Sequence, residues 1–355
     1  MKMQLGIIGL PLVGKTTVYE LLTESSDKSH SARANLGMAR IPDSRIDFLS
    51  DIYKPKKTTY AQLEVVDIPG LAPGMEKAAS VFLDNVRRAD ALLHVVRVFE
   101  NEAVPSINNE INPVQDIENI NYELLLADLD LIEKRIERIN SNKKKNNFLS
   151  ELALLERLKE ALENETPLAA VELNEEEQEM LTAYQFLTTK PILICLNISE
   201  DDLITRKYEQ REQVLQFAAQ HSLPVVEISA GIERELAELE GEEKLAFMHE
   251  LGIEESGIVK ISQSMYRRLG LISFFTVGED EVKAWTIDEG IVARKAAGKI
   301  HSDIERGFIR AEVVECDDLK KLGSMNAVKE KGLFRLEGKE YVVKDGDIVH
   351  FRFNV

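Results

Sequence analysis

Residues 9–17 read Gly-Leu-Pro-Leu-Val-Gly-Lys-Thr-Thr, a complete G-x-x-x-x-G-K-[ST] pattern set between two apolar runs. Leu5, Ile7 and Ile8 before it predict a strand, and Thr17-Val-Tyr-Glu-Leu-Leu after it predicts a helix. A loop passing from a buried strand into a helix N-terminus gathers backbone N–H groups around one point, where the helix dipole also favours an anion. Gly9 and Gly14 permit the bent backbone, Lys15 can reach the β- and γ-phosphates, and the Thr16 hydroxyl can ligate Mg²⁺. The candidate phosphate-binding residues are therefore Gly9, Leu12, Val13, Gly14, Lys15, Thr16 and Thr17. The pattern predicts a chain that binds a nucleoside di- or triphosphate.

Composition narrows the partners. No apolar stretch approaches the roughly 18 residues of a membrane span, and Met-Lys-Met-Gln runs directly into the first strand, so neither a span nor a cleaved signal is expected. The two cysteines, Cys195 and Cys316, are far apart and suggest neither a disulfide framework nor a metal cluster, which fits a reducing cytoplasm. A net charge of −18 argues against nonspecific nucleic-acid binding through a uniformly basic surface. Local basic groups such as Lys54/Lys56/Lys57 and Lys143–Lys145 remain compatible with a basic face.

A second chemical element lies in Leu63-Glu-Val-Val-Asp-Ile-Pro-Gly. Its apolar strand ends at Asp67 in a D-x-x-G pattern, which would place the carboxylate in the crevice beside the phosphate loop. There Asp67 can hold Mg²⁺, directly or through a water, while Gly70 lets the backbone approach a γ-phosphate.

The third element is a base reader. The buried run Lys190-Pro-Ile-Leu-Ile-Cys-Leu delivers Asn197-Ile198-Ser199-Glu200, where guanine-specific proteins carry N-K-x-D. The aspartate of that pattern accepts from two guanine donors, whereas adenine sets a ring acceptor beside its exocyclic donor. With Ile198 and the longer Glu200 in these places, the preference for guanine should relax or reverse. A further strand, Val225-Val-Glu-Ile, ends in Ser229-Ala230-Gly231, a Ser-Ala pair placed beneath a base. Asn197, Ile198, Glu200, Ser229, Ala230 and Gly231 are the candidate base-binding residues. An ordinary helix N-cap at Asn197 or Ser199 is the competing reading.

Downstream periodicity supplies the organisation. Leu125, Leu129, Ile132, Ile136 and Ile139 form one helical stripe, and Leu152, Leu155, Leu158 and Leu162 a second. The polar run Asn140-Ser-Asn-Lys-Lys-Lys-Asn-Asn between them predicts the tip of an antiparallel helical hairpin. From about residue 271 short strands dominate. Phe274–Val277 and Val282–Ile287 read as a hairpin, followed by a helix over 293–304, a strand from Ile309, and last strands at Tyr341–Val343 and Ile348–Phe353. Strands around one crossing helix suit a β-grasp module.

Taken in order, the segments G-L-P-x-V-G-K-T, D-I-x-G-L, H-V-V-R-x-F-E-N at 94–101, N-x-S-E at 197–200 and the ending Asp345-Gly-Asp-Ile-Val-His-Phe-Arg-Phe-Asn-Val resemble the YchF family of Obg-related P-loop ATPases. Ala284-Trp-Thr-Ile and Ile309-Arg-Ala-Glu-Val extend the resemblance to segments with no catalytic reason to match. It implies an α/β fold: a G-domain-like, mostly parallel sheet with an inserted helical hairpin and a C-terminal β-grasp (TGS) domain. The expected division is 1–115 and 181–270 for nucleotide binding, 116–180 for the hairpin and 271–355 for the TGS-like module. The resemblance further implies an ATP-preferring hydrolase that associates with ribosomes, through RNA or protein, as a cytoplasmic monomer.

Several groups expected to sense or cleave the γ-phosphate are altered. Leu71 stands where Ras-like GTPases carry the glutamine that orients the attacking water, a replacement normal for the family. Leu12 replaces the family's usual asparagine, and Ser31 aligns with the usual switch threonine as a further Mg²⁺ ligand. The second switch lacks the glycine-rich stretch, and Ser106 stands where the family tends to carry a histidine. The water-positioning group is therefore unassigned, and turnover is expected to be slow or dependent on a partner or K⁺. Two functional classes follow: a slow ATPase switch, or a nucleotide-gated ribosome- or RNA-binding module with little hydrolysis.

Overall fold

The computed structural model describes residues 3–25, 35–70, 76–100, 111–143 and 145–354. Ser31, Leu71 and Ser106, and the centre of the lysine tip at Lys144, lie outside them. Twelve strands are present among the described residues: β1 Gln4–Ile8, β2 Asn35–Arg40, β3 Lys57–Thr59, β4 Gln62–Asp67, β5 Ala91–Arg97, β6 Ile192–Asn197, β7 Val225–Ile228, β8 Leu271–Thr276, β9 Glu281–Asp288, β10 Phe308–Glu315, β11 Arg335–Glu337 and β12 Asp347–Phe353. They form two six-stranded sheets, and the chain divides into two compact units, 1–37 with 64–261 and 38–63 with 262–355.

The first sheet has the order β2-β4-β1-β5-β6-β7. Pairing is parallel from β4 through β7, with Ile7 of β1 opposite both Asp67 and Leu93. Helices cover both faces of such a sheet, so its strands read as unbroken apolar runs. All seven residues of β5, Ala-Leu-Leu-His-Val-Val-Arg, are buried accordingly. Parallel pairing also brings the carboxyl ends of β1, β4, β6 and β7 to one edge, which is where ligands bind in open α/β sheets. On one face Val96, Ile194, Leu196 and Ile198 pack with Ile117 and Val214.

The helical hairpin belongs to this first unit. Its helices run Pro113–Asn140 and Leu149–Glu163, the second preceded by a 3-10 turn at Lys145–Phe148. Ile132, Ile139, Leu155, Leu158 and Leu162 are buried in its seam, with Leu125, Leu129, Ile136 and Leu152 half-buried against them. Leu154 takes the more buried place expected of Leu152. Asp128, fully buried in the first helix, accepts from the Leu187 and Thr188 amides at 2.9 and 2.8 Å and from the Thr188 hydroxyl at 2.8 Å.

The second sheet is mixed, in the order β11-β10-β12-β8-β9-β3. Phe274, Ile287, Val313, Val349 and Phe351 bury one face against Ala293, Ala296 and Ala297 of helix Ala293–Ile300. The helix expected over 293–304 is broken at His301, whose extended backbone caps a separate helix Ser302–Arg306. Two short helices, Cys316–Leu322 and Met325–Glu330, add to the pattern of strands around one helix. The strand expected at Tyr341–Val343 is absent: Val342 makes only an isolated bridge to Val292, while the Tyr341 hydroxyl donates to Asp347 at 2.8 Å. The segment bends over the start of the helix because Ala293 N donates to Tyr341 O and Val343 N to Ile291 O. Residues 38–63, expected within the nucleotide-binding part, group with this unit. Here β3 lies parallel to β9, and Arg45 bridges Asp43 and Asp345.

Candidate nucleotide site

The loop after β1 adopts the bend its glycines allow. Gly9 has φ 142°, and a Cβ there would lie 2.3 Å from the Val95 carbonyl oxygen, so only glycine lets the loop leave the sheet so close to β5. Gly14, at φ 101°, precedes helix Lys15–Thr23, and a Cβ on it would meet Asn197 Nδ2 at 2.5 Å. Leu12 is held at φ 65° with its side chain 57% exposed, a left-handed conformation unusual for a residue with a branched side chain.

Lys15 opens the helix but is buried, and its Nζ donates to the Leu10 carbonyl at 2.7 Å, closing the loop on itself. Burial lowers its pKa to about 8, opposed by the Asp67 carboxylate. The Thr16 hydroxyl donates to Asp67 Oδ2 at 2.9 Å, uniting the two expected Mg²⁺ ligands from β4 and the loop. One hydroxyl and one carboxylate are hard oxygen donors, the set Mg²⁺ uses when phosphate oxygens and waters complete its octahedron. Among the described residues no cluster of three or more His, Cys, Asp or Glu offers an all-protein metal site. Gly70 closes the other side: a Cβ there would stand 2.8 Å from Lys15 Nζ and 2.9 Å from Pro11 N.

The base-side loops converge on the same edge. Asn197, at the end of β6, donates from Nδ2 to the Val13 carbonyl at 3.0 Å and accepts at Oδ1 from Ala230 N at 3.1 Å. Ser199 caps helix Glu200–Thr205, accepting from Asp202 N, so an N-cap and a base-side loop coexist in this segment. Ser229 caps the helix Ala230–Glu238. Glu200 is exposed and lies over Gly231, where a Cβ would meet its Oε1 at 2.6 Å. Ile198 takes a different place, buried in the apolar cluster with Leu196 and Val214. Spacing assigned Asn197 to the base; the geometry adds a bracing role that no local pattern signals. His94 of β5, which is 1% exposed, and Asp128 were not singled out by spacing at all.

Comparison with known proteins places these features. Residues 4–129 match the family model described as "50S ribosome-binding GTPase", and residues 271–354 match the YchF-GTPase C-terminal model, described as a protein of unknown function. The chain is 43% identical over its full length to the "Ribosome-binding ATPase YchF" of Bacillus subtilis, all of which it covers. It is 42% identical to the protein of that name from Haemophilus influenzae, with 99% of each chain covered. The solved structure of the Schizosaccharomyces pombe YchF GTPase superposes with a TM-score of 0.88 at 30% identity, covering 99% of this chain and 98% of that one. A GTP-binding protein from Pyrococcus horikoshii, 20% identical with a TM-score of 0.60, shares the fold. With a nucleotide-type loop, its Thr16–Asp67 pair and full-length similarity of this order, the chain belongs to the YchF family.

Proposed function

We propose that this chain binds Mg²⁺–ATP in preference to GTP at the Gly9–Thr17 loop, hydrolyses it slowly, and acts as a nucleotide-dependent switch associated with the ribosome. The observation that carries the reading is the convergence of Lys15, Thr16, Asp67 and Asn197 at one edge of the parallel sheet. Lys15 turns from the Leu10 carbonyl to the β- and γ-phosphates and balances their charge. Thr16 and Asp67 hold Mg²⁺, which supplies further charge neutralisation on the phosphate oxygens. Gly70 admits the γ-phosphate beside Lys15 without a side chain in the way. Ile198, buried in the apolar cluster where N-K-x-D carries a lysine, and the longer Glu200 in place of the aspartate that accepts from two guanine donors support the relaxed preference for guanine.

Ribosome association rests on the names of the relatives, and a cytoplasmic site of action is part of the reading because a ribosome partner is found there. A monomer and the 1–115, 116–180, 181–270 and 271–355 functional division are part of the same reading. The second reading, a nucleotide-gated ribosome- or RNA-binding module with little hydrolysis, draws on the altered switches, with Ser31 in place of the usual threonine, no glycine-rich stretch in the second switch and Ser106 in place of the histidine.

Calorimetric titration of the nucleotide-free protein with ATP and GTP in Mg²⁺, followed by phosphate release with and without K⁺ and ribosomes, separates them. Tighter ATP binding with release abolished by Lys15→Ala supports the switch. ATP binding without release under every condition supports the gated module. Binding of neither nucleotide overturns both.

A further inference from the structure

His94 is an unexplained buried polar group among the described residues of the nucleotide-side unit, with both ring nitrogens unpaired. It stands in the middle of β5, directly opposite Ile8 of β1 and Ile194 of β6. Parallel partners in register share a face of the sheet, so the imidazole lies beside Ile8, the residue before the Gly9 bend. Its side chain is 1% exposed, and neither Nδ1 nor Nε2 has a hydrogen-bond partner among the described residues. Buried polar groups are nearly always paired, and one left unpaired costs free energy that an apolar residue of the same volume would avoid. Burial and the nearby charge of Lys15 lower its pKa to about 3, which keeps the ring neutral, with one donor and one acceptor both unused.

The electrostatic neighbour is informative. Lys15, whose charge acts on the ring, donates its ammonium to the Leu10 carbonyl at 2.7 Å, so a cation of the phosphate loop and the unpaired imidazole lie close together at the end of β1. We propose that His94 is a positioning residue for the triphosphate-bound state, in which its neutral imidazole takes a hydrogen bond, through one buried water, to the γ-phosphate end of the ligand. This rests on the triphosphate reading of the Gly9–Thr17 loop. It assigns a role in distinguishing triphosphate from diphosphate to a side chain that lies outside the loop, the D-x-x-G segment and the base-side loops.

The test compares wild type, His94→Leu and His94→Asn in calorimetric titrations with ADP and with the non-hydrolysable β,γ-imido analogue of ATP. His94→Leu should lose about tenfold in affinity for the analogue, the worth of one hydrogen bond, while ADP affinity stays within about twofold. His94→Asn should restore part of the difference. Equal losses for both ligands, or no loss for either, would overturn the inference. Should His94→Leu fail to fold, the ¹⁵N imidazole resonances of His94 in the wild-type protein decide the matter. A shift on adding the analogue but not ADP supports the role, and an identical response to both overturns it. Wild type that binds ADP and the analogue normally keeps the nucleotide reading intact whatever happens to His94. Wild type that binds neither overturns that reading and the His94 role together.

Discussion

Asn197 donates its side-chain amide to the Val13 carbonyl at 3.0 Å, tying the loop after β6 to the loop after β1 across 184 residues of sequence. The same side chain accepts from Ala230 N, so one buried amide holds three loops in register. Replacing it by alanine strands a buried acceptor and a buried donor, at a cost of about 2–4 kcal/mol. Chemical denaturation of Asn197→Ala should show that loss, and ATP and GTP affinity should fall together, since the defect lies beneath both phosphate and base. A stability change below about 0.5 kcal/mol would mean that the three loops hold their places without the brace.

Lys15 predicts a pH dependence of binding. Its free-state pKa is lowered to about 8, below the ordinary value of 10.5, because burial penalises the ammonium. A phosphate partner favours the charged form, so above pH 8 binding must draw in a proton. Nucleotide affinity should therefore fall as pH rises from about 8 towards 10, by at most tenfold per unit. For the free protein the sign is opposite. The penalty for burying a charged lysine is fully present below pH 8 and is relieved as pH climbs towards 10.5. Calorimetry at pH 8.5 in two buffers of different ionisation heat should report net proton uptake, and a flat affinity between pH 7 and 9.5 would contradict it.

Leu12 carries backbone strain at φ 65° with an exposed side chain. Asparagine tolerates the left-handed region better than leucine, so Leu12→Asn should stabilise the protein by about 1 kcal/mol and raise Tm by about 2 °C. Thermal unfolding followed by circular dichroism checks it. A lower Tm would show that the exposed leucine packs more productively than its accessibility suggests.

Gly231 tests the base side. A Cβ there would lie 2.6 Å from Glu200 Oε1, and because Glu200 is exposed its carboxylate can swing aside at little cost. Gly231→Ala should leave Tm within about 1 °C while moving the ratio of ATP to GTP affinity. An unchanged ratio would remove Glu200 from base selection.

Asp128 anchors the first hairpin helix by accepting from two amides and a hydroxyl at residues 187 and 188. Asp128→Ala deprives all three donors of their acceptor and should cost about 3 kcal/mol, with Asp128→Asn losing less. Hydrogen exchange at the Leu187 and Thr188 amides should accelerate in the alanine variant before the rest of the unit opens. Unchanged protection at those two amides would exclude the anchoring role.

Legibility in the sequence followed the range of the interactions. The strand–loop–helix unit around Gly9–Thr17 could be read directly, because glycine conformation, helix polarity and apolar runs act between residues a few positions apart. The hairpin stripes were equally plain, since a helix brings every third or fourth residue to one face. The single helix expected over 293–304 failed at His301, where an extended backbone caps a new helix, a choice that two competing local conformations leave open. Tyr341–Val343 has the composition of a strand, yet its backbone pairs with the start of helix Ala293–Ile300 and its hydroxyl with Asp347.

By itself the amino-acid order determined the nucleotide-type loop, the D-x-x-G strand, the alternation of elements that makes an α/β fold, and membership of a recognisable family. Only the tertiary structure decided that Asn197 braces Val13, that Asp128 is an anchor, and that residues 38–63 group with the C-terminal sheet through β3 and Arg45. The physical reason is the same in each case. These are pairings of single polar groups, or of a short edge strand, with partners tens to hundreds of residues away, and burial makes them decisive without leaving any periodic trace in the chain.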